Sequence, residues 1–356
     1  MRITFLNPFV SNRGGTRVMA TYARHLSEQG HDVTVMSQPA RPEPLRKKLK
    51  ALLRGHGWNS KVKQPTPLLD FLGDRHIVLD SIRPITAGDV PDADVVIATW
   101  WETAEWAAAL PPEKGRGYYL IQDYEVFPYL PAERVIATYD LPLQKMAVSS
   151  YIIDKINETH GTKDIALLPN AVDTGLFHAP PRTRNARLTV GFLFSRAPRK
   201  NTQLALDALA AARRKQPDIK VVILCGSPPR PEDNLPDWAD IRIDPPQQAL
   251  ADVYADCDLW LLTSIEEGFG LPLLEAMACR TPVLTTTAGA ARDLVDGTNG
   301  VIAATDTKAF TAEILRFAQM SEDVWQGYSQ AATDTAQRHQ WPDATKRLLA
   351  YLEKPA

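Results

Sequence analysis

The chain has 356 residues, of which 44% are apolar and 23% charged, and its formal net charge at pH 7 is −2. That length suits two domains, and the near-neutral charge does not point to nucleic acid as a partner. No run approaches the ~18 to 20 consecutive apolar residues of a membrane-spanning helix. The three cysteines form no Cys-x-x-Cys pair, so we expect buried thiols in a reducing compartment and a cytoplasmic protein.

Short apolar runs alternate with helical segments in the first half of the chain. The first strand is expected at residues 3–7, and a helix follows at 15–29, where Val18, Tyr22 and Leu26 share one face. Further strands are expected at 33–37, 76–80, 95–99, 118–122 and 146–149. Such alternation predicts parallel strands joined by crossover helices.

A second alternation of the same kind fills the other half. Its strands are expected at residues 188–194, 220–225, 258–264 and 282–286. The segment between the two halves, 168–182, contains prolines and a glycine that suit a linker. We therefore expect an α/β protein with Rossmann-like domains at 1–175 and 176–340. A final helix in 341–356 carries an apolar stripe of Leu348, Leu349 and Leu352.

Two glutamates flank a Gly-rich turn after the apolar run 258–264. The stretch reads Glu267-Gly-Phe-Gly-Leu-Pro-Leu-Leu-Glu275, with Glu267 in the turn and Glu275 expected in the first turn of the helix that follows. Ligands of parallel sheets bind at the carboxyl edge of the strands, where helix N-termini offer N–H groups to a phosphate. Carboxylates at that edge suit hydroxyl groups, because a carboxylate only accepts hydrogen bonds. The pattern therefore indicates a ligand with both phosphate and hydroxyls, which is a nucleotide sugar.

The stretch Ser264-Ile-Glu-Glu-Gly-Phe-Gly-Leu-Pro-Leu-Leu-Glu-Ala-Met-Ala-Cys, followed by Thr281-Pro-Val-Leu, resembles the Glu-x7-Glu signature of the family 4 retaining glycosyltransferases. The resemblance implies a GT-B fold, with two Rossmann-like parallel-sheet domains facing each other across a cleft and the last helix crossing back to the N-terminal domain. It further implies that Glu267 faces the donor sugar and Glu275 the ribose. The turn residues expected around the donor are Gly268, Phe269, Gly270 and Leu271.

Two basic or glycine-rich junctions are candidates for the donor diphosphate. Gly14 and Gly15 open the first helix, and the family places a Gly-Gly pair there, against the donor diphosphate or the acceptor. Arg196, Arg199 and Lys200 lie between a strand and a helix, where cations can clamp a diphosphate. The family has an Arg and a Lys five residues apart at this point. We expect Arg196 to act with Lys200, and Arg199 is the rival partner.

Polar and aromatic residues follow two strands of the first domain. Gln122 and Asp123 stand where family members often carry His-Asp, and Asp123 is a candidate for orienting the acceptor hydroxyl. The run Gln-Asp-Tyr-Glu resembles a subset that acts with deoxysugars such as rhamnose. Trp100, Trp101 and Glu102 end the preceding strand. The tryptophans fit either stacking on a sugar or filling a domain cleft.

Two Asp-x-Asp segments have the form that GT-A glycosyltransferases use to hold a metal. They are Asp92-Ala-Asp94 and Asp256-Cys-Asp258. Each precedes a strand and so lies at the amino edge, which is the wrong edge for ligands. We therefore expect a reaction without a bound metal and without a further cofactor.

The segment Arg41–Lys63 is strongly basic, with only Glu43 opposing its lysines and arginines. Four leucines at positions 45, 49, 52 and 53 share a helical face. A basic amphipathic helix can lie on an anionic membrane, and an ordinary solvated helix is the alternative. The first interpretation predicts peripheral contact with the inner face of the membrane.

Together these features predict a retaining glycosyltransferase that uses a dTDP-, UDP- or GDP-linked sugar. Its acceptor is a hydroxyl of a glycan, a lipid-linked sugar or a small molecule. A GT-B sugar-nucleotide epimerase and a nucleotide-sugar-binding protein without catalysis are the alternatives.

Overall fold

The computed structural model describes residues 1–11, 14–40, 67–161 and 163–354. The basic segment Arg41–Lys63 lies outside the described residues. The chain divides into two compact units. One comprises Met1–Met146, Lys163–Ala166 and Tyr351–Ala356, and the other comprises Ala147–Thr162 and Leu167–Ala350.

The first part of the chain alternates strands and helices, as the apolar runs predicted. The elements are β1 Arg2–Phe9, α1 Gly14–Glu28, β2 Asp32–Gln38, β3 His76–Val78, β4 Val95–Ala98, α2 Trp101–Ala108, β5 Arg116–Ile121, α3 Ala132–Ala137, β6 Gln144–Ala147, α4 Ser150–His160 and β7 Ile165–Leu167. The strands form one sheet in the order β3-β2-β1-β4-β5-β6-β7. The pairings β1–β2, β1–β4, β2–β3 and β4–β5 are parallel.

The later elements form a second sheet with its own layers of helices. They are β8 Thr189–Phe194, α5 Thr202–Lys215, β9 Lys220–Cys225, β10 Asp240–Ile243, α6 Gln247–Ala255, β11 Leu259–Leu262, α7 Leu271–Ala278, β12 Val283–Thr285, α8 Ala291–Leu294, β13 Gly300–Ile302, α9 Thr307–Ala318, α10 Glu322–Gln337 and α11 Trp341–Leu352. The order is β10-β9-β8-β11-β12-β13, and all five pairings are parallel.

Both sheets share the strand order of a Rossmann fold, in which the direction of winding reverses beside the first strand. In the second sheet the reversal lies between β8 and β11. Ligands of such sheets bind in the crevice at that point, outside the carboxyl ends of the two strands. The loops that follow β8 and β11 are therefore the places to look for a site.

The second core forms because its central strands are apolar on both faces. Leu259, Trp260, Leu261 and Leu262 of β11 are all buried, as expected for a strand covered by helices on both sides. Each large apolar side chain removed from water in this way stabilises the fold by about 1.5–3 kcal/mol. A rigid central strand fixes the start of the loop that follows it.

Candidate functional site

The loops after β8 and β11 are joined to each other by backbone hydrogen bonds. The N–H of Ile265 donates to the carbonyl of Arg199 at 2.9 Å. The hydroxyl of Thr263 donates to the carbonyl of Lys200 at 3.2 Å. A short turn, Pro198–Lys200, therefore lies directly against the turn that contains Glu267. The reversal point of the sheet thus brings the basic junction and the Gly-rich turn together.

Glu267 and Lys200 form an ion pair at the centre of this arrangement. The Lys200 Nζ donates to Glu267 Oε2, and the hydroxyl of Ser264 donates to the same oxygen at 3.1 Å. Glu267 is only 8% exposed and Ser264 is buried. A charge-assisted bond in a partly buried place holds both side chains in defined positions. The site therefore presents a fixed cation and a fixed carboxylate at the carboxyl edge.

Two contacts that the sequence did not reveal shape the Glu267 turn. Ser149, the residue before α4, donates its hydroxyl to the carbonyl of Gly268 at 2.6 Å. Gly289 has φ of 63°, and a Cβ there would lie 2.6 Å from the carbonyl oxygen of Phe269. A side chain at Gly289 would push the turn out of place, so only glycine fits. Sequence reasoning had no signal for either residue, because both are distant from the turn along the chain.

Glu275 lies farther into its helix than the sequence predicted. We expected it in the first turn, but α7 begins at Leu271 and Glu275 is its fifth residue. The hydroxyl of the buried Tyr254 donates to Glu275 Oε2 at 2.6 Å. This bond fixes the carboxylate and orients it from the side of α6. Gly270 precedes the helix with φ of 88°, so the N–H groups of the first turn follow directly after the Gly-rich turn.

Arg196 pairs with an acidic side chain of the loop after β9. Its guanidinium forms a two-pronged ion pair with Asp233, in which Nε lies 2.7 Å from Oδ1 and an Nη donates to Oδ2. It also donates to the hydroxyl of Ser227 at 3.3 Å and to the carbonyl of Pro228 at 3.2 Å. These hydrogen bonds raise the pKa of Arg196 and lower the pKa of Asp233. Arg196 is therefore engaged with the loop after β9.

The four aspartates of the Asp-x-Asp segments precede β4 and β11, at the amino edge, as predicted. Asp94 accepts from the backbone and guanidinium of Arg2, and this lowers its pKa. Asp258 is fully buried and accepts from the N–H of Thr189 at 2.8 Å. The remaining pairs are Asp92 with Lys114 and Asp256 with Arg242. Each carboxylate thus has a structural partner.

The first sheet places other predicted residues at its own carboxyl edge. Gly14 and Gly15 begin α1, and Gln122 follows β5. Gly15 and the Gln122 amide are neighbours, because a Cβ on Gly15 would be in ordinary contact with both polar atoms of that amide, at 3.5 Å. The Oε1 of Gln122 is buried and accepts no hydrogen bond from the described residues. An amide oxygen in this condition is a candidate acceptor for a ligand.

The two tryptophans differ in their surroundings. Trp101 is 3% exposed, and the guanidinium carbon of Arg134 lies 4.9 Å from its ring centre. This burial favours the packing alternative for Trp101. Trp100 is half-buried, and its ring stacks on that of Phe127 with 6.4 Å between centres. Glu102 is half-buried in the first turn of α2.

Glu125, which was not singled out as a site residue, anchors the segment that contains Asp123. Its side chain is 1% exposed, and its Oε2 accepts from the N–H of Trp101 at 2.7 Å and from the hydroxyl of Tyr119 at 3.0 Å. Burial raises the pKa of this carboxyl well above its ordinary value, and the charges of Asp123 and Glu102 raise it further. The Glu125 carboxyl therefore joins the segment after β5 to the start of α2.

Comparison with known proteins agrees with this geometry. Residues 185–320 match the family model described as glycosyl transferases group 1. This match runs from the start of β8 to the end of α9. Among relatives by sequence, D-inositol 3-phosphate glycosyltransferase of Corynebacterium kroppenstedtii is 32% identical over 164 residues, which are 42% of this chain and 36% of that protein. The corresponding enzyme of Actinosynnema mirum is 28% identical over 244 residues, 62% of this chain and 57% of that protein. Both matches therefore span less than two thirds of the relative's own length.

Solved structures show the same fold over the full length. Anabaena Alr3699/HepE in complex with UDP-glucose has a TM-score of 0.71 at 18% identity, and 99% of each chain is covered. WaaG, a glycosyltransferase involved in lipopolysaccharide biosynthesis, has a TM-score of 0.66 at 16% identity, covering 99% of this chain and all of the other. The prediction of two Rossmann-like domains in a GT-B fold is confirmed.

In the described ranges, none of the helices is both long and apolar enough to cross a membrane. The three cysteines, Cys225, Cys257 and Cys279, are buried and form no disulfide, as expected. Burial raises the pKa of Cys279 to about 12, and the charge of Glu275 adds to the effect. These thiols belong to the core of the second unit.

Proposed function

We propose that this chain transfers a sugar from a nucleoside diphosphate sugar to a hydroxyl of an acceptor, with retention of the anomeric configuration. The observation that carries the proposal is the ion pair of Lys200 with Glu267 at the reversal point of the second sheet. A cation beside a carboxylate matches a ligand that has phosphate next to sugar hydroxyls. The group 1 domain match and the neighbouring structure with UDP-glucose support the same ligand class.

The donor would exchange the internal ion pair for contacts with its own groups. Lys200 would turn from Glu267 to the diphosphate, and Glu267 would then accept from hydroxyls of the sugar. The N-terminus of α7 would present the positive end of the helix dipole to a phosphate, and Glu275 would accept from the ribose hydroxyls. Positive charge fixed beside the leaving diphosphate stabilises the charge that develops there in the transition state.

We assign the second cation for the diphosphate to Arg199. Its backbone carbonyl accepts from the N–H of Ile265, which holds Arg199 beside the Glu267 turn. Arg196, which is paired with Asp233, would hold the loop after β9. In the first unit, Asp123 would orient the acceptor hydroxyl, and Gly14, Gly15 and Gln122 would line the acceptor or donor.

Product analysis tests the proposal. Purified protein is incubated with UDP-, dTDP- and GDP-linked sugars and a panel of glycan and inositol acceptors, and products are identified by mass spectrometry and proton NMR. We expect one donor to give a glycoside with its anomeric configuration retained. An inverted product would contradict retention, and a changed donor without any acceptor would identify an epimerase instead.

We propose that transfer needs no bound metal, because the four aspartates of the Asp-x-Asp segments have structural partners at the amino edge. Activity should survive EDTA. Loss of transfer in the chelator, restored by magnesium or manganese, would overturn this part of the proposal.

The Arg196–Asp233 pair favours one alternative, a nucleotide-sugar-binding protein without catalysis. In that case the arginine expected at the diphosphate serves only to hold a loop. Binding of a nucleoside diphosphate sugar without hydrolysis or transfer would identify this alternative.

We also propose that the basic segment Arg41–Lys63 attracts the protein to an anionic bilayer that carries the acceptor. Each Lys or Arg near such a surface contributes about 1 kcal/mol. Cosedimentation with phosphatidylglycerol vesicles should exceed that with neutral vesicles and should fall with salt. Equal binding to both vesicle types would show that the segment has no preference for anionic lipid and is an ordinary solvated segment.

A further inference from the structure

An aromatic ladder, made of Trp100, Phe127 and Tyr129, extends from the carboxyl edge of the first sheet to the surface. The rings of Phe127 and Tyr129 are nearly parallel, at 9°, with centres 5.5 Å apart. Trp100 stacks on Phe127 at 21°. Tyr129 is 76% exposed, the most exposed large apolar side chain in the described ranges. The outer rung of the ladder therefore presents a flat apolar face to solvent.

The segment that carries the ladder is fixed by hydrogen bonds of a buried carboxylate. Glu125 fixes the segment through its bonds to the N–H of Trp101 and the hydroxyl of Tyr119. The N–H of Phe127 donates to the carbonyl of Glu125 at 2.8 Å. Pro128 stands between the two outer rings and restricts both its own backbone and that of the residue before it. A preorganised surface loses little conformational entropy when a ligand binds.

Two acidic residues are neighbours of the ladder along the chain. Glu102 lies in the first turn of α2, shortly after Trp100, and Asp123 lies in the segment that Glu125 anchors. Carboxylates repel anionic ligands and accept from hydroxyls. Flat aromatic faces pack against the C–H groups of a ring, as rigid tyrosine and tryptophan side chains do in many binding surfaces.

We propose that the aromatic ladder binds a neutral pyranose ring of the acceptor, with the ring face on Tyr129 and the hydroxyls directed at Asp123. The inference rests on the proposed function for the identity of the bound ring as acceptor. Its position agrees with that role, because the ladder begins at Trp100 in the loop after β4, and β4 flanks the reversal point of the first sheet. The ladder thereby restricts acceptors to sugars with an uncharged apolar face.

Saturation-transfer NMR with simple glycosides tests the inference. The probes are the methyl pyranosides of glucose, mannose and rhamnose, each with and without UDP. With the wild-type protein we expect saturation of the C–H protons on one ring face. Tyr129→Ala should weaken binding by about two- to tenfold, which is the contribution of one aromatic contact. Tyr129→Phe should bind as wild type, because the ring and not the hydroxyl makes the contact.

The matched control is Val324→Ala, which removes another exposed apolar side chain, on α10 of the second unit, and should change nothing. A p-nitrophenyl pyranoside shows whether the ladder binds a sugar ring or any aromatic group. Saturation of the nitrophenyl protons alone, without the sugar protons, would overturn a sugar site. Absence of ring saturation with all three methyl pyranosides, or an unchanged signal in Tyr129→Ala, would also overturn it. Saturation of the UDP protons in the same samples reports nucleotide binding by the second unit. Loss of that signal would count against the proposed function, and it is measured separately from sugar binding at the ladder.

Discussion

Replacing Glu275 with alanine is expected to weaken binding of a nucleoside diphosphate while leaving the fold intact. The carboxylate is half-buried on α7 and is fixed by the hydroxyl of Tyr254 at 2.6 Å. A hydrogen bond to a charged group contributes about 1.5–3 kcal/mol, so losing the ribose contacts should reduce UDP affinity by about tenfold to 150-fold. The buried Tyr254 hydroxyl also loses its partner, and we expect about 1–3 kcal/mol of lost stability from that source.

Isothermal titration of UDP against wild type and three variants separates these effects. Glu275→Gln keeps an acceptor for the Tyr254 hydroxyl but loses the charge, so it should be nearly as stable as wild type and still bind UDP more weakly. Tyr254→Phe removes only the bond that fixes Glu275 and should weaken UDP binding less than Glu275→Ala does. Thermal unfolding is measured in parallel. Wild-type affinity in Glu275→Ala would refute the assignment of this residue to the ribose.

Three further predictions concern charged side chains. Glu267→Gln should lower kcat by about tenfold or more while UDP affinity changes little, because its carboxylate would face the sugar and not the nucleotide; comparing kcat with the UDP Kd checks this. Arg199→Ala should weaken UDP binding by about tenfold, and Arg196→Ala should weaken it much less. Equal losses of UDP affinity in the two variants, measured by titration, would contradict the assignment of the second cation to Arg199. Burial raises the pKa of Glu125, so ionisation of this carboxyl opposes folding. The free energy of unfolding of the wild type, relative to that of Glu125→Gln, should therefore fall as the pH rises above about 4.3. Urea unfolding of both proteins at about pH 4 and about pH 7 should show this fall.

The strands that carry the site were predictable because they are continuous apolar runs. The run before Glu267 and the one before Arg196 became β11 and β8, and the loop positions followed from the edge rule for parallel sheets. The ion pair of Lys200 with Glu267 follows from the adjacency of β8 and β11, which the apolar runs alone do not specify.

Partners that are distant in the chain were not predictable. Arg196 is bound to Asp233 across the end of β9, and Glu275 is fixed by Tyr254 from α6. Periodicity describes one element at a time and carries no information about which side chain of another element fills the space beside it. The depth of Glu275 in its helix was missed for a related reason, because Pro272 lies inside the first turn and the start of α7 is set by the left-handed backbone at Gly270.

The bond from Ser149 to Gly268 has a consequence for anyone who recombines halves of such proteins. Residues 147–162 precede the linker in the chain, yet they belong to the second compact unit and hold the turn that carries Glu267. A chimera joined at residue 175 would take α4 from one parent and the Gly-rich turn from the other. Ser149 and the turn would then come from different parent proteins, and the hydrogen bond would form only if the two parts still fit each other. Grafting residues 147–162 together with the later half keeps Ser149 and the turn from the same parent.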